Sequence, residues 1–275
     1  MNTTMQPTRI EKNVADVCRA VLDGDTEELL IVGPSPTVID GLVAVLSEPE
    51  SASTVRLLAT ESVLKETVSG FTDASTVADL VADEVLSLRT SAERLGGPLL
   101  LTDERVVSLV VTDERTAGLA TEDAEFVGAA RNEYANRWTD AEPFTLRTPP
   151  LSRVRETLET EFGAELAADF EAMRVALAES AGDLDVVDVS LLAAARNEAL
   201  LYDISTWGEN VGVASRATFS RKKTRLEEAG LVETEKVPID VGRPRLRLLL
   251  GDERLREADA SEMVRVAAEL LAVEA

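Results

Sequence analysis

The chain contains no histidine. That absence removes the Ser-His-Asp and Cys-His couples, imidazole metal ligands, and the one side chain that changes charge near neutrality. Carboxylate and lysine chemistry remain formally open. The single cysteine, Cys18, cannot make an internal disulfide. It shares a helical face with Val14, Val17, Val21 and Leu22, and reads as a small buried hydrophobe rather than a reactive thiol. No stretch approaches the roughly 18 consecutive apolar residues of a membrane span. The opening MNTTMQPTRIEKNVADVC also lacks the apolar centre of a signal peptide. A cytoplasmic location and no membrane partner are therefore expected. Lysine and aromatics are scarce too, with five lysines among 28 basic residues and 4% aromatic content.

Acid is abundant: 51 Asp and Glu give a formal net charge of -23. An acid-rich, lysine-poor surface suits a protein that stays hydrated in molar salt, where repulsion is screened within about 3 Å. A halophilic cytoplasm is the expected setting, although an acidic protein of a low-salt cell would have the same bulk signature. At 275 residues and 45% apolar content, the chain has material for two domains with real cores.

Residues 11–22 read as an amphipathic helix and Leu29 to Val32 as a buried strand. After the turn Gly33-Pro34-Ser35-Pro36, Val38, Ile39, Leu42, Val43, Val45 and Leu46 recur at helical spacing. A second strand, Val55 to Ala59, precedes Thr60 as a helix N-cap with Glu61 in the first turn. Two such units predict neighbouring parallel strands with helical crossovers. A helix is expected over residues 75–86. Residues 98–101, 106–111 and 116–120 predict an antiparallel meander, whose turns repeat Thr-Asp-Glu-Arg at 102–105 and 112–115 with Asp capping the backbone. These turns match no metal-loop spacing and read as solvated surface. The Gly33 turn could offer backbone donors to an anion, but its two prolines leave few of them. A helix then presents Phe126, Val127, Ala130, Tyr134 and Trp138.

Apolar residues from Leu151 to Leu177 step by three and four along one stripe. Either a single connecting helix that pairs with a second subunit or two core helices broken at Gly163 would produce it. The domains expected are 1–148, α/β, for sensing or assembly; 149–186, connecting helix and linker; 187–250, a winged helix-turn-helix; and 251–275, a last amphipathic helix.

In the winged part, helices are expected over 190–200 and 203–210, with Gly212 marking the turn and Ser215 capping the third helix. Ala217, Phe219, Leu226 and Ala229 are its expected buried side. Arg216, Thr218, Ser220, Arg221, Lys222 and Arg225 are then largely outside, and with Ser215 they are the candidate contacts to double-stranded DNA, since Arg can take two acceptors of a guanine in the major groove. Arg243 and Arg245, with Lys236 and Arg247, belong to the wing. Residues 214–247 hold nine basic and five acidic side chains, while residues 1–213 hold 16 and 39. The basic excess is confined to one segment. Lys223 stands where an apolar residue usually faces the core, so its stem is expected along Phe219 and Leu226 with the ammonium reaching solvent.

Two resemblances follow from these residues. The meander LLLTDERVVSLVV followed by a helix ending EYANRWTDAEPF resembles the phospholipase D-like effector domain of archaeal TrmB-type regulators. That implies no catalysis here, because enzymes of this fold use His, and it departs from TrmB in carrying the reader last. ATFSRKKTRLEEAGLVETEKVPIDVGRPRLRL with the preceding LLYDISTWGENVGVAS is similar to the winged helix of the haloarchaeal transcriptional regulators called TbsP. The resemblance implies a DNA-binding regulator of transcription and no enzyme. The expected whole is an α/β N-terminal domain joined by a long helix to a C-terminal winged helix-turn-helix domain, acting as a homodimer on duplex DNA, with a small-molecule effector left open and no cofactor. A winged helix that binds another polypeptide is the alternative.

Overall fold

The computed structural model describes residues 9–22, 28–48, 53–180, 183–238 and 244–273. The chain divides into two compact units between Leu146 and Arg147.

The first unit is a mixed sheet between helices. In order it runs β1 (Arg9–Glu11), α1 (Val14–Leu22), β2 (Glu28–Val32), α2 (Pro36–Leu46), β3 (Thr54–Ala59), α3 (Glu61–Thr67), α4 (Phe71–Ala82) and β4 (Leu86–Thr90). It continues with β5 (Leu99–Leu101), β6 (Val106–Val111), β7 (Thr116–Thr121), α5 (Ala124–Asp140) and β8 (Glu142–Pro143). The strand order is β1-β7-β6-β5-β2-β3-β4-β8. β2, β3 and β4 are parallel, as their helical crossovers require, and the remaining neighbours are antiparallel. β2 reads as an unbroken apolar run because both its faces are covered. Leu29 and Ile31 pack toward α1 and α2, while Leu30 and Val32 pack toward Val127 and Trp138 of α5.

Several local expectations change. The helix expected over 75–86 begins earlier, at Phe71, and ends at Ala82, while Leu86 instead opens β4, a strand whose alternating LSLRT is too short to stand out. Arg89 of β4 stacks over the Trp138 ring at 5.1 Å and donates to the Trp138 carbonyl at 2.8 Å, capping the exit of α5. Thr60 takes the N-cap position of α3 without a side-chain cap bond. In the twin turns it is threonine, not Asp, that caps: Thr102 Oγ1 and Thr112 Oγ1 each accept the amide of the arginine three residues on, at 3.1 Å. The Gly33 amide donates to the Leu58 carbonyl at 2.9 Å, so this donor is not available to an anion. Cys18 is fully buried, and burial pushes its thiol up to about 12.

The second unit comprises α6 (Leu151–Phe162), α7 (Ala164–Glu179), α8 (Val186–Arg196), α9 (Leu201–Val211), α10 (Arg216–Glu228), β9 (Val232–Val237), β10 (Arg245–Leu250), α11 (Glu253–Glu257) and α12 (Ala260–Val273). Of the two readings of the Leu151 to Leu177 stripe, the break is the one observed. Gly163, at φ 92°, ends α6 and starts α7, and the two helices pack on each other inside the second unit. Glu171 of α7 joins them by accepting from Arg155 of α6 and from Arg174 of its own helix. Burial alone would raise the Glu171 carboxyl, but the two guanidiniums hold it below its ordinary value. α12 lies along α7, burying Met263, Val264, Val266 and Ala267. It thus covers the buttress of the winged helix.

Candidate nucleic-acid interface

Three helices and a two-stranded wing form the surface. α8 starts four residues before the expected Ser190, because Asp185 and Asp188 form a reciprocal capping box at its N-terminus. The Asp-x-x-Asp spacing ahead of an apolar run was the available signal. Leu200 bridges Arg247 of the wing, closing the sheet against the helices. The turn from α9 to α10 passes through Gly212 at φ 97°, in the left-handed region that favours glycine. Gly208 lets α10 approach: a Cβ there would lie 2.2 Å from the Phe219 ring. α6 supports α9 from behind, where Trp207 Nε1 donates to Thr157 Oγ1 at 3.0 Å and Phe162 meets the indole edge-on.

Ser215 caps α10, its Oγ accepting the Thr218 amide at 3.2 Å. Ser215, Arg216 and Ser220 are exposed and Thr218 is half-buried. Arg221 is exposed and, among the described residues, has no ion-pair partner. Ala217 is exposed rather than part of the buried side; Phe219 and Leu226 alone fill that side completely.

The other cations of α10 are engaged within the domain. Arg216 pairs with Glu209 at 2.6 Å and Arg225 with Asp183 at 2.7 Å. Lys223 lies mostly buried, as its place among core-facing positions anticipated, but its ammonium, expected to reach solvent, sits on Glu227 at 2.7 Å. Lys222 departs from expectation. Its side chain is 16% exposed, and Nζ lies 2.8 Å from both Asp185 and Asp188 of α8. It pins α10 to α8 instead of facing outward. Burial pushes the Asp188 carboxyl above its ordinary range against the pull of Lys222. For Asp185 burial acts the same way, but Lys222 and the Asp188 and Val187 amides outweigh it and hold the group low.

On the wing, Arg245 pairs with Asp203 at 2.9 Å and stacks over the Tyr202 ring at 4.4 Å. Arg247 stands 3.7 Å from Glu235 and 3.9 Å from Glu198, while Lys236 is exposed. Arg243 lies outside the described residues. No group of three or more potential ligands for a metal ion occurs among the described residues, and no helix among them is long and apolar enough to cross a membrane.

Three helices, a tight left-handed turn and an antiparallel wing define the winged helix-turn-helix class. Residues 6–149 match the family described as "Transcriptional regulator TbsP-like, N-terminal", and residues 150–268 match "Transcriptional regulator TbsP-like, C-terminal HTH domain". The chain belongs to the TbsP-like transcriptional regulators. No curated protein sequence matches it. Among solved structures it is similar to the archaeal chromatin protein TrmBL2, at 15% identity and TM-score 0.34 over 52% of this chain, and it spans 57% of that protein. It is also similar to the phospholipase D family member Nuc from Salmonella typhimurium, at 12% identity and TM-score 0.36 over 50% of this chain and 96% of that one.

Proposed function

We propose that this regulator reads duplex DNA sequence-specifically, as a homodimer, through the N-terminal half of α10. The observation that carries the reading is Arg221, exposed on α10 and free of any carboxylate among the described residues, in a chain of net charge -23. Ser215, Arg216, Thr218 and Ser220 flank it on the exposed start of the helix. Arg225 and Arg245 belong to the supporting rim, and Arg243 is retained as a wing contact from its position in the sequence. We assign Lys222 to holding α10 in place.

The composition fits a halophilic archaeon. In molar salt the release of counterions, about 0.9 log units of affinity per phosphate contact per decade of salt, contributes little. Specific binding there leans on base-edge contacts. Two-fold symmetry would set half-sites one helical turn apart. The N-terminal unit would serve assembly or the sensing of a small-molecule effector.

The test is a mobility shift with genomic fragments. Wild type is expected to select a palindromic site, and Arg221→Ala to lose about 1–3 kcal/mol of that discrimination per half-site. Unchanged selectivity of that variant, with its fold intact, removes Arg221 from the readout. Absence of any shift favours the polypeptide-binding alternative.

A further inference from the structure

A cavity of about 550 Å³ lies in the second unit where the α6 to α7 turn faces the α8 to α9 turn. Its walls carry three carboxylates, Glu161, Glu198 and Asp203, and two aromatic rings, Phe162 and Tyr202. Thr206 lines it too, and has a buried hydroxyl without a hydrogen-bond partner. The volume is that of a small-molecule site, and the charged residues lining it are all carboxylates.

The protein itself shows what this combination holds. Asp203 and Tyr202 grip the guanidinium of Arg245, one by an ion pair at 2.9 Å and the other by a stack at 4.4 Å. Glu198, in the same wall, lies 3.9 Å from Arg247. Asp203 is thus the counter-charge of one wing arginine, while Glu198 shares Arg247 with Glu235, which stands outside the cavity and nearer, at 3.7 Å. Glu198 also sits at φ 53°, a position where a side chain carries a backbone cost that glycine would not.

We propose that this cavity binds a small organic cation, an amine or guanidine on a short apolar stem, held by Asp203 and Glu198, and that the cation competes with Arg245 for Asp203. Occupancy releases Arg245; emptying the cavity returns it to its carboxylate. The consequence for the wing rests on the DNA reading above, but the site itself does not.

Agmatine, with an ammonium and a guanidinium on a four-carbon stem, is the probe. Titrated calorimetrically into the full chain without DNA, it is expected to saturate at about one equivalent. Asp203→Asn and Glu198→Gln, which keep shape and remove charge, should each weaken binding about tenfold, the worth of one charged contact. Asp113→Asn, in a turn of the N-terminal sheet, should leave it unchanged. Arg245→Ala removes the resident competitor and should tighten agmatine binding severalfold. A wild-type titration that does not saturate overturns the site, as does an Asp203→Asn variant that binds like wild type. Arg245→Ala binding no tighter than wild type overturns the competition. Because no DNA is present, each of these failures is separate from a failure of DNA recognition.

Discussion

Replacing Lys222 by Met asks whether this lysine serves the fold or the DNA. Its ammonium sits 2.8 Å from both Asp185 and Asp188, and the Asp188 side chain is completely buried. The methionine stem keeps the packing and deletes the charge. Asp188 is then left in the interior with one oxygen, Oδ1, that already has no hydrogen-bond partner. Removing one member of a buried pair costs about 3–5 kcal/mol. Asp185 is half exposed and its contact is screened by water, so the expected loss is about 2–4 kcal/mol, set by the Asp188 contact. The assay is urea unfolding followed by Trp207, fully buried in this unit, in a background where Trp138 is Phe. Asp188→Asn in the same chain should recover more than half the loss, because the uncompensated charge is what destabilises. A Lys222→Met variant within about 0.5 kcal/mol of wild type that binds DNA much more weakly would refute the structural role.

The remaining predictions concern packing, titration and reactivity. Gly208→Ala should destabilise the second unit by about 1–3 kcal/mol by driving a methyl into the Phe219 ring, outweighing the helix-propensity gain of about 1 kcal/mol; a stabilised variant in thermal unfolding would contradict the close approach of α9 and α10. The Glu171 carboxyl is held below its ordinary value in the folded state. Its contribution is therefore present above the ordinary glutamate range and lost as pH falls through the lowered value. Acid unfolding of wild type should steepen below about pH 4.5, and Glu171→Gln should flatten that limb; identical acid limbs would remove the α6 to α7 ion pairs from the stability account. Cys18, buried and raised to about 12, should resist iodoacetamide at pH 8 in the folded chain and react only after unfolding. Stoichiometric labelling of the native protein would contradict its burial.

Much of this architecture was legible because the signals were periodic. The apolar run of β2, the spacing through α2 and the Gly212 and Ser215 punctuation each follow from local chemistry that packing did not override. β4 escaped because five alternating residues directly after a helix carry too little pattern. The stripe from Leu151 to Leu177 is continuous in projection, and only the backbone of Gly163 decides that it folds into two helices. Side-chain roles were less readable than elements. Lys222 and Arg221 are adjacent in a basic run, yet a rotation of about 100° per residue turns one toward Asp188 and leaves the other to solvent. Their partners lie 34 or more residues away in sequence or do not exist among the described residues. No local pattern reports that.

One border of the N-terminal sheet is nearly closed to backbone pairing. β8 is two residues long, the second of them Pro143, which has no amide hydrogen to donate. A neighbouring chain therefore finds almost no ladder to extend on β8 itself. Any association at that strand falls to side chains, where a single charged residue can veto it, and not to backbone pairing, to which sequence is nearly blind.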